Sequence, residues 1–327
     1  MSTVTKYQPE ISNRSVSRIS PLRLTRRLLV GGSFGTLLAA QMIQASAQNQ
    51  LTIATSMPIL QDIVANIAGD AAEVFSIMPA NADPHTWEPT PEDMVRLTAA
   101  DVFIFNGADL EPFVETGGWR AAVQDNEIPE FIVADHVELI VIDEVIDHGD
   151  HVHELSGGDP HIWLDPLTIV QAVPAIAAFL GEVDADNAKV FATNADQYVA
   201  ELEALHAELS ETLSVIPDER RKLLVFHDAW RYFAARYDFE VIGIVLENPN
   251  AEVSAQEMVH LLHVIEDHGV NVVFAEPQFN TSVLNLLQDE GDIEIVTLLT
   301  DSFAEGVETY IELMRFNAEQ LANALAE

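Results

Sequence analysis

A single long helix is predicted by the stretch DADNAKVFATNADQYVAELEALHAELSETLS, residues 184–214. The stretch contains neither Gly nor Pro, and its leucines recur at helical spacing: Leu202, Leu205, Leu209 and Leu213. At 1.5 Å per residue, the helix would be roughly 45 Å long. A helix of this length would join two lobes of the chain.

The sequence on each side of this helix alternates short apolar strands with amphipathic helices. Before it, we predict strands at residues 51–54, 73–77, 102–106 and 131–134, and helices at 59–68, 91–99 and 111–123. After it, we predict strands at 222–226, 241–246, 271–274 and 293–298, and helices at 255–267, 282–288 and 305–326. Such alternation is typical of a parallel sheet covered by helices. The predicted fold class is α/β, with two similar lobes at 48–183 and 215–327. Each lobe would be a mainly parallel sheet with flanking helices, and a cleft would lie between the lobes.

The first 47 residues differ from the rest of the chain in charge. They hold six basic side chains and one acidic one, whereas the remainder holds 9 basic and 52 acidic residues, a net charge of −43. Arg26 and Arg27 precede an apolar run, and the sequence ASA at 45–47 has the small residues of a cleavage site. We predict a removed export signal at 1–47, of the twin-arginine type, although an ordinary secretory leader would need only the positive charge. The mature protein would then be periplasmic or otherwise extracytoplasmic.

The composition excludes several classes of protein. Because 48% of the residues are hydrophobic, the chain can build a core and is not a disordered acidic tail. A nucleic-acid surface needs clustered Lys and Arg, of which this chain has few. The chain has no cysteine, which excludes disulfides, thiolate metal sites, a cysteine nucleophile and a lipidated cysteine. A binding partner should be cationic, small or neutral.

The strongest chemical signal is a repeated D-P-H-x-W motif, at residues 83–87 and again at 159–163. His85 and His161 each follow a proline of fixed φ, so each imidazole is presented from a stiff loop. Two ordinary turns, with the tryptophans packing beneath them, are the alternative. A preset ligand direction in two copies favours metal binding.

Two further candidate ligands follow strands of the second lobe. His227 comes directly after an apolar strand, and Asp301 comes after another and before the last helix. Open α/β sheets bind ligands at the carboxyl ends of their strands. A structural histidine and an N-cap for the last helix are the alternatives. As ligands, these two residues would meet the two histidines of the first lobe in the cleft.

These motifs resemble those of the metal-binding substrate-binding proteins of ATP-binding-cassette importers, the zinc and manganese group with one long linking helix (cluster A-I, or cluster 9). The resemblance covers essentially the whole mature chain, including residues 83–91, 159–166, 225–230, 274–279 and 309–325. It implies a four-ligand metal site, two ligands from each lobe: His85, His161, His227 and Asp301. It also implies a monomeric protein, not an enzyme, that is peripheral to the membrane and delivers its ion to a permease with a cytoplasmic ATPase.

The predicted ligands favour zinc. Three imidazoles and one carboxylate suit tetrahedral Zn²⁺, whereas Mn²⁺ prefers more oxygen ligands and higher coordination. Manganese-preferring members of the family commonly have Glu at the position of His227. A carrier of Mn²⁺ or Fe²⁺ is the alternative.

Other polar residues are weaker candidates. The acidic loop at 143–159 resembles a shortened form of the His-rich loop of zinc-specific members, and it offers either a mobile secondary metal site or only a solvated surface: His148, His151 and His153. Four acidic residues flank the proposed ligands or motifs and could orient imidazoles, or form turns and surface charge: Glu88, Asp165, Asp228 and Glu276. His260 and His263 lie three apart on a predicted helix and fit either a surface metal pair or an exposed face.

Two other functions are compatible with the same residues. A zinc hydrolase would use the three histidines as ligands and Asp301 as the base, but the chain has no H-E-x-x-H motif. Some members of the resembled group are thought to act as adhesins, but nothing in this sequence indicates adhesion. Equilibrium metal binding without turnover would distinguish a carrier from a hydrolase.

Overall fold

The structure is a computed structural model and describes residues 50–142, 145–147, 152–154, 158–245, 255–277 and 293–326. The predicted export signal and the helix predicted at 282–288 lie outside these residues. The side chains of 145–147, 152–154 and 255–257 are likewise not described.

The first lobe contains a four-stranded parallel sheet. Its strands are β1 (Leu51–Thr55), β2 (Ala72–Ser76), β3 (Val102–Phe105) and β4 (Glu130–Ile132), in the order β2-β1-β3-β4. The helices that connect them are α1 (Pro58–Ala68), α2 (Pro91–Leu97) and α3 (Gly117–Asp125). A proline opens both α1 and α2, where its missing N–H costs no hydrogen bond. Each of the four strands predicted in this lobe has its counterpart here, and the predicted parallel pairing is confirmed.

A two-stranded antiparallel ribbon follows, formed by β5 (Val145–Asp147) and β6 (Val152–Glu154). It lies in the acidic loop, where we predicted no strands. His153 is opposite Ile146 in this ribbon, whereas His148 and His151 lie outside the described residues.

Two long helices come next, α4 (Pro166–Val183) and α5 (Ala188–Leu213). The helix predicted from residue 184 begins four residues later, because the Asp184 carboxylate accepts hydrogen bonds from Asn187 in the turn between the two helices. The leucine face of α5 is buried, as its spacing predicted. Helix α4 is long and apolar enough to span a membrane by composition alone, but its apolar face is buried in the core against α5.

The second lobe repeats the plan of the first. Its strands are β7 (Lys222–Val225), β8 (Glu240–Ile244), β9 (Val272–Ala275) and β10 (Glu294–Thr297), parallel and in the order β10-β9-β7-β8. Its helices, among the described residues, are α6 (Arg231–Tyr237), α7 (Ala255–His268) and α8 (Tyr310–Leu325). The two-lobe α/β fold predicted from the sequence is thus confirmed.

Three further predicted boundaries are wrong. The helix predicted at 111–123 is a 3₁₀ turn at Pro112–Glu115 followed by α3, because Thr116 is extended and caps α3. The strand predicted at 131–134 gives way after β4 to a 3₁₀ turn, Val133–His136. Helix α8 begins at Tyr310 rather than residue 305, because Thr309 and Glu312 form a capping box.

Three polar residues follow strands of the second sheet at its carboxyl edge. His227 follows β7, Glu276 follows β9 directly, and Asp301 lies four residues after β10. A continuous apolar core that includes Trp163, Tyr198 and Tyr310 extends through both lobes and α5. This core holds the carboxyl ends of the two sheets on either side of a single polar centre.

Candidate metal centre

The two D-P-H-x-W copies form similar turns. In each, the aspartate two residues before the histidine accepts that histidine's backbone N–H at 2.9 Å: Asp83 for His85 and Asp159 for His161. The Nε2 atoms of the two histidines lie 3.1 Å apart. Two nitrogens bound to one tetrahedral zinc ion at about 2.0–2.1 Å would be roughly 3.3–3.4 Å apart, so both rings already point at a common centre.

The orientation of the His161 ring is fixed by Asp159. The Nδ1 atom of His161 lies 2.8 Å from the Asp159 Oδ1 atom, in a side chain that is almost wholly buried. Because an ionised carboxylate only accepts hydrogen bonds, the ring proton belongs on Nδ1. The lone pair of Nε2 then faces the His85 ring and the centre.

The second lobe contributes an imidazole held in the same way. The Nδ1 atom of His227 lies 2.7 Å from Glu276 Oε1, and Glu276 also accepts a hydrogen bond from the Thr300 hydroxyl. Asp301 is fully buried beside them. It does not cap the last helix, because Thr309 does so.

The two halves converge. The ring centroids of the three histidines lie 5.2, 5.3 and 6.0 Å apart. Ligand atoms of His85, His161 and His227 lie within 4.8 Å of one another, and those of His227, Glu276 and Asp301 form a second such group. The two groups share His227, and between them they contain the four predicted ligands, with Glu276 as a further donor.

The electrostatics of the centre are those of a buried, mutually dependent cluster. Burial, with the neighbouring His161 and His227 rings, lowers the pKa of His85 to about 3. Burial raises the pKa of Asp301 to about 6. Burial also acts to lower the pKa of His227, but the Glu276 carboxylate outweighs it and the pKa rises to about 9. Groups shifted this far, in opposite directions, are characteristic of functional sites.

The four acidic residues predicted to orient imidazoles have different positions. Glu276 contacts His227, as described above. Asp165 instead caps α4, accepting from Leu167 N at 3.0 Å, and Asp228 pairs with Arg231 at 2.5 Å. Glu88 is exposed.

Sequence reasoning missed the role of Asp159, which contacts the His161 ring directly. Its signal was in the repeat itself, where an aspartate precedes each histidine by two residues. It also missed that Trp163 does more than pack, since its indole N–H donates to Thr300 O across the lobes at 2.8 Å. Trp87, in the other copy, packs edge-on against Phe113 within the first lobe. His260 and His263 are exposed on α7.

The family model described as zinc-uptake complex component A, periplasmic (ZnuA), matches residues 53–324. The manganese-binding lipoprotein MntA of Halalkalibacterium halodurans is 30% identical over 281 residues, covering 85% of this chain and 89% of the relative. The iron-binding protein YfeA of Yersinia pestis is 28% identical over 317 residues, covering 94% and 98%. A crystal structure of ZnuA is similar with a TM-score of 0.72 at 30% identity, covering 84% of this chain and 99% of that one. The names of these relatives refer to three different metals.

Proposed function

Since the chain belongs to the ZnuA family and is a substrate-binding protein of a metal ABC transporter, we propose that its cargo is zinc, held by His85, His161, His227 and Asp301. The observation that carries the proposal is the position of His227, whose Nδ1 atom is held by Glu276 at 2.7 Å. That contact directs the other ring nitrogen at the centre. A third imidazole in place of a carboxylate favours Zn²⁺ over Mn²⁺.

The residues act on the ion by replacing its water shell. Asp159 and Glu276 each hold one ring nitrogen of a histidine, so His161 and His227 need little rearrangement to bind. Because each lobe supplies two of the four ligands, a bound ion ties the lobes together. Release then requires either separation of the ligands by the permease or protonation of imidazoles that bind only when neutral.

The carrier works outside the cytoplasm with a membrane permease and its ATPase. We propose export through the twin-arginine signal at 1–47, after which the protein is a monomer peripheral to the membrane. The relative MntA is named a lipoprotein. This chain has no cysteine, so lipid attachment through a cysteine is not open to it.

A carrier of Mn²⁺ or Fe²⁺ is the second candidate. The observation that favours it is the pair of carboxylates beside His227, Glu276 and Asp301, which would give oxygen-rich coordination if both turned to the ion. The names of MntA and YfeA fit this candidate. The zinc hydrolase is disfavoured because four protein ligands would leave no position for an activated water.

Metal analysis of the purified mature protein tests the proposal. We expect one tightly bound zinc ion per chain, and we expect excess Mn²⁺ to leave that zinc in place. Displacement of zinc by equimolar Mn²⁺ or Fe²⁺ would establish the second candidate instead. A protein that binds none of the three ions with one-to-one stoichiometry would contradict metal carriage altogether.

A further inference from the structure

Two side chains of helix α6, Tyr232 and Arg236, form hydrogen bonds with the first lobe. The hydroxyl of Tyr232 donates to the Asp159 carbonyl oxygen at 2.8 Å and accepts from Ile140 N–H at 3.0 Å. Tyr232 is only 3% exposed, and its bond to the Asp159 carbonyl is buried. Asp159 is also the residue whose carboxylate holds the His161 ring.

Arg236 forms the second contact, an ion pair with Asp165. Its Nε and Nη2 atoms lie 2.9 and 2.7 Å from the Asp165 Oδ2 atom. Asp165 is almost wholly buried and also receives the Thr168 hydroxyl at 2.9 Å. Since Tyr232 and Arg236 are four residues apart, they lie on one face of α6. They contact the two ends of the segment 159–165, which has His161 near its first end.

The same stretch of chain carries a ligand of the second lobe. His227 precedes the first residue of α6 by only four positions. Residues 227–236 therefore join His227 directly to the two side chains that contact the segment of His161. A cleft of about 460 Å³, lined by Asp165, Tyr232 and Arg236 among others, lies beside these contacts. This cleft gives the segment 159–165 space to shift if the contacts of Tyr232 and Arg236 are removed.

We propose that Tyr232 and Arg236 are positioning residues that set the spacing of His161 and His227, and so the geometry of the metal centre. The inference rests on the proposed function. Neither residue touches the centre, so removing either one alters how the ligands are placed and leaves the ligands themselves unchanged. Removing residues that support metal ligands typically costs 10–100-fold in affinity.

The test uses Co²⁺ as the probe, because its visible absorption reports coordination geometry directly. Tyr232→Phe and Arg236→Gln are compared with wild type, and Arg236→Lys serves as the conservative variant that keeps a cation at Asp165. Matched controls are Tyr237→Phe on the same helix, whose hydroxyl lies 3.3 Å from His206 Nδ1, and Arg315→Gln, which breaks the ion pair of Arg315 with Glu208 at 2.8 Å. The melting temperature of each metal-free protein is measured in parallel.

We expect Tyr232→Phe and Arg236→Gln to weaken Co²⁺ binding by about 10-fold or more and to change the absorption band. Arg236→Lys should recover part of the loss, and both controls should match wild type in affinity and spectrum. Wild-type spectra and affinities in both test variants would overturn the inference and leave the proposed function standing. So would losses in the controls that equal those in the test variants, since the effect would then be general destabilisation. A wild-type protein that binds no Co²⁺, Zn²⁺ or Mn²⁺ would overturn both.

Discussion

The indole N–H of Trp163 donates a hydrogen bond to the carbonyl oxygen of Thr300 at 2.8 Å, across 137 positions of sequence. Trp163 lies two residues after His161, and Thr300 lies one residue before Asp301. The backbone beside the proposed ligand His161 is thus bonded to the backbone beside the proposed ligand Asp301. Tyr310 strengthens the junction, because its hydroxyl donates to the Trp163 carbonyl at 2.6 Å.

The first prediction compares the tryptophans of the two repeat copies. Trp163→Phe removes a buried hydrogen bond and part of a fully buried ring, and we expect it to lower the free energy of unfolding by about 2–4 kcal/mol. Trp87→Phe, at a half-buried ring with contacts inside one lobe, should cost about 1 kcal/mol or less. Urea unfolding of the metal-free proteins measures both. Equal losses would show that the lobe-spanning bond contributes nothing.

The second prediction concerns the ligands. His85→Ala and His227→Ala should each weaken zinc binding on the order of 100-fold or more, since each removes a donor rather than a supporting group. Both residues lie on loops after strands, so far-ultraviolet circular dichroism should stay unchanged. Titration against a chelator of known affinity measures the loss.

His260→Ala is the control for these ligand variants, because that exposed imidazole lies on α7. Its zinc affinity should equal that of wild type. Wild-type affinity in His85→Ala or His227→Ala would remove that residue from the proposed site.

The sequence predicted those features of the site that depend on neighbouring residues, and it missed those that depend on contacts between distant residues. The positions of His85 and His227 in the fold were predictable, because a proline-fixed turn and a strand end are local features of the sequence. The repeated motif includes Asp159, but it does not predict that the Asp159 carboxylate contacts the Nδ1 atom of His161. Tyr232 and Arg236 carried no signal, because their partners lie 73 and 71 positions away and α6 has no distinctive motif.

Glu111 shows why one predicted helix was wrong. The residue was assigned to a helix at 111–123, yet its carboxylate accepts bonds from Ser56 Oγ, Asn106 N and Gly107 N, at 2.6, 2.8 and 3.0 Å. Those donors lie at the ends of β1 and β3. Hydrogen bonds from the strand ends, one of them from 55 residues away, therefore outweigh local helix propensity here.

The third prediction uses the same residue to set a pH dependence. Burial raises the pKa of Glu111 to about 7 from 4.5. Below pH 4.5 the carboxyl is protonated in both states, so its contribution to stability is fully present. Between 4.5 and 7 the unfolded state loses its proton first, and this contribution falls as pH rises. The total loss should be about 3 kcal/mol.

The measurement compares wild type with Glu111→Gln by urea unfolding across pH 4–8, with chelator present. Relative to the variant, wild type should lose stability up to about pH 7 and then stay level. Glu203→Gln, at an exposed carboxylate on α5, corrects for the general effect of removing a charge. Parallel curves for wild type and Glu111→Gln would contradict the raised pKa.

The fourth prediction concerns the acidic loop. Removing residues 147–154 should preserve one tight zinc ion per chain, because none of the four proposed ligands lies there. It should abolish weaker additional binding if His148, His151 and His153 gather zinc. Calorimetric titration distinguishes the two classes of site. Identical weak-site heat in the deletion variant would show that the loop is only a solvated surface.

The last prediction follows from charge. Residues 48–327 carry a net charge of −43, far more than solubility requires, and such self-repulsion opposes a compact fold unless ions screen it. The few cations relieve it only locally, as where Arg120 contacts both Glu115 and Glu130. The Debye length is about 10 Å at 0.1 M ionic strength and about 3 Å at 1 M, so neighbouring surface carboxylates repel in the first condition and scarcely in the second.

The melting temperature should therefore rise clearly when NaCl increases from about 0.1 to 1 M, as in a protein adapted to saline surroundings. Zinc affinity should change less, because the contacts within the centre are short and partly buried, although the long-range attraction that gathers cations weakens. Glycine betaine is the control, since this zwitterion stabilises proteins without adding ionic strength. A melting temperature that stays level or falls with NaCl would contradict adaptation to salt, and the acidity would then be explained better by the attraction of metal cations toward the cleft.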